Sequence, residues 1–282
     1  MSSGDPRLPS VIIPAYNAAA ELEHCLRTVH TTVPAETEVL LIDDASPDPA
    51  VASLLRDWRH KGGPNWRFLA NPDNLGFVAT ANRGMRLCAG DVVLLNADTE
   101  VTPGWLEGLA RCLGSDGAIA SATPWTNNGE IASVPRFCVA NPAPPDRDAV
   151  ALAISAAGPP GYPELPTAVG FCMAIARRAI DRIGLFDEDL FGRGYGEEND
   201  WSMRASAVGM RNVLCDDVYV VHLGGRSFGP LGLNPDEGSM QRLLSRHPAY
   251  LQRVQAFIAE DPLAARRGDI LDAIERAGLS LG

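Results

Sequence analysis

Val92-Val93-Leu94-Leu95-Asn96-Ala97-Asp98-Thr99-Glu100 is the stretch that decides the fold. Four apolar residues, two of them β-branched, run into a short polar turn that places a carboxylate, Asp98, just past the strand end. An unbroken apolar run is what a strand buried on both faces requires, as in a parallel sheet covered by helices. In open α/β sheets, ligands bind outside the carboxyl ends of such strands. A carboxylate there is placed to hold a divalent cation against a phosphate. For an isolated strand and aspartate, a turn cap ahead of Pro103 would be the better explanation; the neighbouring segments shift the balance.

Working outward, strands and helices alternate at βαβ lengths. Ser10–Ile13 is a short strand ended by Pro14, and Ala18–Val33 carries Leu22, Leu26 and Val29 at helical spacing. Glu38–Ile42 is a second strand, Val51–Trp58 a helix, Trp66–Leu69 a strand and Phe77–Cys88 a helix. The Asp91–Leu95 strand is followed by a helix over Trp105–Leu113. Beyond Ala118 the regularity weakens. Pro135–Pro166 reads as a surface excursion with one helix near Asp148–Ala156; Val169–Ala176 reads as a strand and Arg177–Ile183 as a helix stopped by Gly184. A glycine-flexible loop, Gly192–Gly196, leads into a helix from about Glu198 to Val208, and Asn212–Leu214 and Tyr219–Val221 are short strands. The tail from Asp236 is helical by pattern. The expectation is an α/β protein with a mostly parallel central sheet flanked by helices and a helical C-terminal extension.

The 282 residues permit one large α/β domain or two small ones, and 46% hydrophobic content suits a sizeable core. No apolar run approaches the roughly 20 residues of a membrane span, and Met1–Pro6 lacks a signal-peptide pattern, so a cytoplasmic location is expected. The net charge of −11 argues against nucleic acid as a partner, which needs a basic footprint. Arg177, Arg178 and Arg182 leave peripheral contact with an anionic membrane open, although a solvated helix face explains them better. Six cysteines without a C-x-x-C pair read as reduced core residues. Nothing in the chain indicates an oligomeric state.

Four constellations carry candidate chemistry. Asp43-Asp44 ends the second strand beside Pro14-Ala15-Tyr16-Asn17, where a carboxylate can accept from a pyrimidine imide and Tyr16 can pack on the base; a turn stabilised by Asp side chains is an equal alternative. In Asn71–Phe77, Asn74 or Asp73 is explained as a helix cap, whereas Asn82 and Arg83 inside the following helix suggest ligand contact, Arg83 suiting a diphosphate. Glu197, Glu198 and Asp200 crowd three carboxylates into four positions; acidic residues favour a first helical turn anyway, yet mutual repulsion raises at least one pKa, which suits a general base. His222, after a strand and before Gly224-Gly225, is placed for a metal or phosphate contact. No G-x-x-x-x-G-K-[ST] loop, no G-x-G-x-x-G after the first strand and no G-x-S-x-G elbow occurs, which disfavours P-loop NTPases, dinucleotide dehydrogenases and α/β-hydrolases.

Taken in order, these segments resemble the family 2 inverting glycosyltransferases of GT-A fold, particularly their bacterial rhamnosyltransferase-like branch. The matching stretches are Val11–Asn17, Val39–Ser46, Asn74–Phe77 with Ala81–Gly84, Leu94–Thr99, Gly184–Glu188, Gly196–Asp200 and His222. The resemblance implies a GT-A domain over 1–235, with a nucleotide-sugar-binding half at about 9–115 and an acceptor and catalytic half at 116–235, followed by an extension over 236–282. It implies that Pro14, Tyr16, Asn17 and Asp44 line the base pocket, and that Asn74, Arg83, Asn96 and Ala97 complete the donor site. Asn96-Ala97-Asp98 stands at the family's D-x-D motif with Asn for the first Asp, leaving Asp98 as the direct ligand of Mn²⁺ or Mg²⁺, together with His222. Glu197-Glu198 stands where the family has Glu-Asp or Asp-Asp, so Glu198 is the implied base, with Glu197 and Asp200 as alternates. The implied donor is a UDP- or dTDP-sugar, Asn74–Phe77 leaning towards dTDP-rhamnose, and the implied acceptor is a hydroxyl of a glycan, a lipid-linked glycan or a protein in surface polysaccharide synthesis. The competing reading is a catalytically silent sugar-nucleotide-binding module. A nucleotidyltransferase would need a glycine-rich basic loop that Pro14–Glu21 lacks.

Overall fold

The computed structural model of the chain describes residues 7–224 and 237–281. Its first half is the expected alternation: β1 (Ser10–Ala15), α1 (Ala19–Thr32), β2 (Val39–Asp43), α2 (Pro49–Lys61), β3 (Trp66–Ala70), α3 (Phe77–Leu87), β4 (Val92–Leu95), β5 (Thr99–Glu100) and α4 (Trp105–Ser115). The second half runs β6 (Ile119–Trp125), α5 (Arg147–Ser155), β7 (Glu164–Leu165), β8 (Cys172–Ile175), α6 (Arg177–Ile183), α7 (Glu188–Phe191), α8 (Glu197–Ala207), β9 (Arg211–Tyr219) and β10 (Val221–His222). Three helices follow: α9 (Glu237–Arg246), α10 (Tyr250–Glu260) and α11 (Ala264–Arg276). Eight strands form one sheet in the order β3-β2-β1-β4-β8-β6-β9-β7, and β5 pairs with β10 in a separate ribbon. The pairs β1–β2, β2–β3, β1–β4 and β6–β9 are parallel; β8 lies antiparallel between β4 and β6, and β7 antiparallel to β9.

Local chemistry explains the departures from expectation. Pro14 does not end β1, which runs on to Ala15. The alternation of the ladder sends the Val11 N–H to Glu38 and the Ser10 N–H to Asp91, so the nitrogen of Pro14 lies on the β4 side. Pairing with β4 stops at Ile12, and the missing N–H breaks no ladder bond. The helix α3 starts at Gly76 without a side-chain cap of its own, so neither Asp73 nor Asn74 caps it. Asp44 does the work across the sheet end, accepting from Leu75 N at 2.9 Å and Gly76 N at 2.8 Å. The strand expected at Asn212–Leu214 runs on to Tyr219 as β9, and Val221 of the strand expected at Tyr219–Val221 opens β10 instead.

The wholly buried β6, Ile119-Ala-Ser-Ala-Thr-Pro-Trp125, went unread because alanine, serine and proline are poor strand formers. Its conformation comes from β8 and β9 on either side. Five of the six cysteines are buried free thiols, and Cys138 is exposed. Among the described residues no helix is long and apolar enough to cross a membrane.

The C-terminal helices are packed into the body. Leu243 and Tyr250 belong to the main core, while Leu263, Ile270 and Ile274 join Val150, Ile154, Trp125 and Leu214 in a second one. Arg266 pairs with the buried Asp216 at 2.9 Å. The boundary expected at Asp236 lies outside the described residues.

The main core also fixes how closely α3 approaches β1. A Cβ at Gly84 would stand 2.4 Å from Cγ2 of the fully buried Ile12. Gly84→Ala is therefore expected to lower unfolding free energy by about 1–3 kcal/mol through overpacking, despite the better helix propensity of alanine, and urea denaturation measures it.

Candidate active site

The donor half of the site forms where β1, β2 and β4 end. Asp44 is 4% exposed and carries three donors: Asn71 Nδ2 at 2.6 Å and Leu75 N on Oδ1, and Gly76 N on Oδ2. Of the four acceptor positions of a carboxylate, one on Oδ2 remains. Pro14, near the end of β1, and Tyr16 and Asn17 in the loop after it are half-buried. Asn17 N donates to Ser46 Oγ and Asn17 Oδ1 accepts from Asp48 N, so this side chain also ties the two loops together. The Arg83 guanidinium bonds the Ala70 carbonyl and Asn71 Oδ1 through Nη1.

Asn82 does not face a ligand. It is fully buried, donates to the Phe186 carbonyl and Glu188 Oε1, and accepts from Phe186 N. Its polarity inside an apolar helix serves to strap the loop before α7 onto α3, and its hydrogen bond heads the interactions that hold the Glu188 carboxyl below the usual range.

Asp98 and His222 come together because β5 and β10 pair, with His222 opposite Thr99 and Leu223 N donating to the Asp98 carbonyl. The Asn96-Ala97-Asp98 turn is held by Asn96 N on the Phe171 carbonyl and by Thr99 Oγ1 on the Asn96 carbonyl. Asp98 is 3% exposed, and its Oδ1 has no hydrogen-bond partner among the described residues. A turn-capping role would have filled it. His222 Nε2 stands 3.5 Å from that oxygen.

The imidazole is aimed by its surroundings. Its Nδ1 lies 2.6 Å from the Asn128 carbonyl, which can only accept, so Nδ1 carries the proton and Nε2 faces Asp98. The ring stacks on Phe171 at 5.2 Å, and Asn127 bonds both the N–H and the carbonyl of His222. Burial works against protonation of His222, but the Asp98 carboxylate and the Asn128 carbonyl outweigh it and raise the pKa. A buried carboxylate oxygen without a hydrogen bond beside an imidazole whose far nitrogen donates to a backbone carbonyl offers two groups that could hold a divalent cation. Among the described residues no group of three such ligands forms. Gly225, the second glycine after His222, lies outside the described residues.

The acidic helix start lies within electrostatic range of this pair. Tyr195, from the loop before α8, has its phenol pKa raised by burial and then by the charges of Glu197, Asp98 and Glu198. Gly170, next to the Phe171 that stacks on His222, lies against Glu198: a Cβ there would be 3.7 Å from Cγ. Glu197 is buried with Oε2 unpartnered among the described residues, and burial followed by the charge of Glu198 lifts its pKa well above the usual value. The half-buried Glu198 is pushed up to about 7, by burial first and by Glu130 in addition, against the backbone N–H groups at Glu198, Gly196 and Asn199. Asp200 stands apart. It is fully buried with Oδ2 on Arg204 at 2.8 Å and Oδ1 on Arg246 and His247 at 3.1 and 2.8 Å, a clamp between α8 and the end of α9 in which basic side chains already engage both oxygens.

The loop before α8 also reaches the donor half. Phe77 N donates to the Arg193 carbonyl, and Gly76 (φ +87°) approaches so closely that a Cβ there would lie 2.7 Å from Arg193 Cα. Backbone strain gathers around the same loops: Asn17, Ala18, Ala45, Glu130 and Tyr195 all have positive φ. Residue by residue reading missed Asn127, Asn128, Phe171 and Tyr195. The polar run Thr126–Asn128 after β6 was a usable signal, lost because β6 itself was not recognised.

Comparisons with known proteins bear on the fold and the family. The uncharacterised glycosyltransferase YibD of Escherichia coli (strain K12) is 33% identical over 101 residues, 36% of this chain and 28% of its own length. The match spans about a third or less of the curated relatives' lengths. The solved structure of the mannosyltransferase PcManGT from Pyrobaculum calidifontis, in complex with GDP-Man and Mn²⁺, superimposes with a TM-score of 0.57 at 18% identity over 98% of this chain and 77% of that one. GalNAc-T7 with UDP, GalNAc and Mn²⁺ gives 0.64 at 17% identity over 95% and 55%. At such identities the likeness is one of fold, and the fold is GT-A. The profile of glycosyl transferase family 2 matches residues 10–184, more than half of the chain, and the protein belongs to that family.

Proposed function

We propose that the protein is a metal-dependent inverting glycosyltransferase. It moves a sugar from a UDP- or dTDP-sugar, dTDP-rhamnose being the favoured donor, to a hydroxyl of a glycan, lipid-linked or protein acceptor in surface polysaccharide synthesis. The observation that carries this reading is the pairing of Asp98 with His222, whose ring stacks on Phe171, with Glu198 lying against the adjacent Gly170. Residues 9–115 serve the donor and 116–235 the acceptor.

Asp44 reads the base imide with its remaining acceptor position, between Tyr16 packed on the base and Pro14 and Asn17 at its edge. Asn74, Asn96 and Ala97 border the sugar and phosphates, and Arg83 turns its free N–H groups to the diphosphate. Asp98 Oδ1 and His222 Nε2 are the atoms that would hold Mn²⁺ or Mg²⁺, with diphosphate oxygens completing the shell. The cation, when bound, offsets charge on the departing nucleoside diphosphate.

Glu198 accepts the proton of the acceptor hydroxyl. That oxygen forms its bond to the anomeric carbon from the face opposite the nucleotide, the bond from that carbon to the phosphate oxygen breaks, and the electron pair leaves with the diphosphate. One displacement inverts the anomeric centre, and no covalent sugar–enzyme bond forms. Burial of Glu197 and its high pKa keep a second negative charge away from the nucleophile.

The direct test is a thermal-shift and hydrolysis screen of UDP- and dTDP-sugars with Mn²⁺. A stabilising donor whose nucleoside diphosphate is slowly released to water is the expected result. Stabilisation without release, under any acceptor offered, would favour the silent binding module, and neither response would reject both readings. The pH dependence is a second check. Glu198 must be unprotonated to act, so kcat/KM is expected to rise about tenfold per pH unit below about 7 and to level off above it. A flat profile between pH 5.5 and 8 would remove Glu198 as the base.

A further inference from the structure

Glu198 is the second residue of α8, and its carboxylate is tied by a neighbour whose own orientation is set from another part of the chain. Asn199 Nδ2 donates to Glu198 Oε1 at 3.1 Å. On its other side, Asn199 Oδ1 accepts from the Tyr250 hydroxyl at 2.9 Å and from Thr167 Oγ1 at 2.8 Å. Turning this amide over would set its oxygen against a carboxylate, two acceptors face to face. The hydroxyls of Tyr250 and Thr167 hold it the right way round. Tyr250 lies on α10, is 8% exposed and belongs to the main core, so its hydroxyl is fixed in place. The preceding helix grips the next residue of α8 through Arg246 and His247 on Asp200. Among the described residues, the other titratable groups that act on Glu198 are Glu197 on its own helix, Glu130 from the turn after β6, Tyr195 from the loop before α8 and Tyr250 itself.

We propose that Tyr250, acting through Asn199, is a positioning residue for Glu198: the relay ties down Oε1, leaves Oε2 to meet the acceptor hydroxyl, and makes the C-terminal helices a working part of the transferase. The proposal rests on Glu198 being the base. Asn199 also favours the ionised carboxylate, because a hydrogen bond to the charged form stabilises it.

The test needs no donor or acceptor. The full chain is labelled with ¹³C at glutamate carboxyls, the Glu198 resonance is assigned by its loss in Glu198→Gln, and it is titrated in wild type, Tyr250→Phe, Asn199→Ala and the double variant. Asn199→Ala is expected to raise the Glu198 midpoint by roughly 0.5–1 pH unit, and Tyr250→Phe by less. The double variant should match Asn199→Ala alone, since both act through one contact. An unmoved midpoint in Asn199→Ala, or shifts that add in the double variant, would overturn the relay. With an active donor, Tyr250→Phe should lower kcat and leave donor KM unchanged. Turnover of Glu198→Gln separates the two levels: full activity there removes the base assignment, whereas loss of activity with unmoved midpoints removes only the relay.

Discussion

Glu198→Gln is expected to reduce sugar transfer by about 10²–10⁴-fold while donor affinity, measured by calorimetry with Mn²⁺, stays within about twofold of wild type. Glutamine keeps the shape and the contact with Asn199 but cannot take a proton. Stability supplies a control with a sign that misfolding cannot mimic. The folded-state pKa of Glu198, about 7, lies above the ordinary 4.5, so the folded form holds its proton more tightly than the unfolded chain. Its charge therefore costs stability, not at all below pH 4.5, increasingly from there to about 7, and in full above 7. Removing it should stabilise the protein at pH 8 by roughly 1–3 kcal/mol after allowance for partial solvent contact, and leave stability at pH 4 nearly unchanged. An inactive variant that is also less stable at pH 8 would point to damage instead of lost chemistry.

The second large effect is expected at Asp98. Asp98→Ala should bring donor affinity in Mn²⁺ down to the value that wild type shows with EDTA, and should lower turnover by about 10²–10³-fold, the several kcal/mol that a cation contributes to charge stabilisation in the transition state. The buried Oδ1 of Asp98 has no hydrogen-bond partner among the described residues, so the substitution removes the long 3.5 Å pairing with His222 and no hydrogen bond of that atom. Melting temperature without added metal is then expected to hold or rise. Equal donor affinity in Asp98→Ala with and without Mn²⁺, alongside a strong Mn²⁺ effect in wild type, assigns the cation to this carboxylate. A Mn²⁺ effect that survives the substitution would remove Asp98 from the metal site.

The first half of the chain was legible because each of its elements is locally consistent. Val39–Asp43 and Val92–Leu95 are apolar runs of strand length, and α1 buries Leu22, Cys25, Leu26 and Val29 on one stripe. β6 shows where that logic stops, since its residues acquire strand conformation only by being paired on both edges. The same limit applied to Asn82. A polar residue on a buried helix face can meet a ligand or another segment, and its partners lie 104 and 106 positions away. No local pattern distinguishes the two.

Residue types and their order determined by themselves that this is an α/β protein, because periodicity is a property that the linear chain holds in full. The roles proposed for Asp98, His222 and the Glu197–Asp200 cluster rest on the order of motifs that resembles family 2. The proposed choice among neighbouring carboxylates rests on the tertiary structure. Glu198 is half-buried with a raised pKa, whereas Asp200 is bonded by Arg246 and His247, some 46 residues onward. Charge and solvation at a site are sums over everything that surrounds it, and in this protein three of those neighbours, Arg246, His247 and Tyr250, come from the chain after β10.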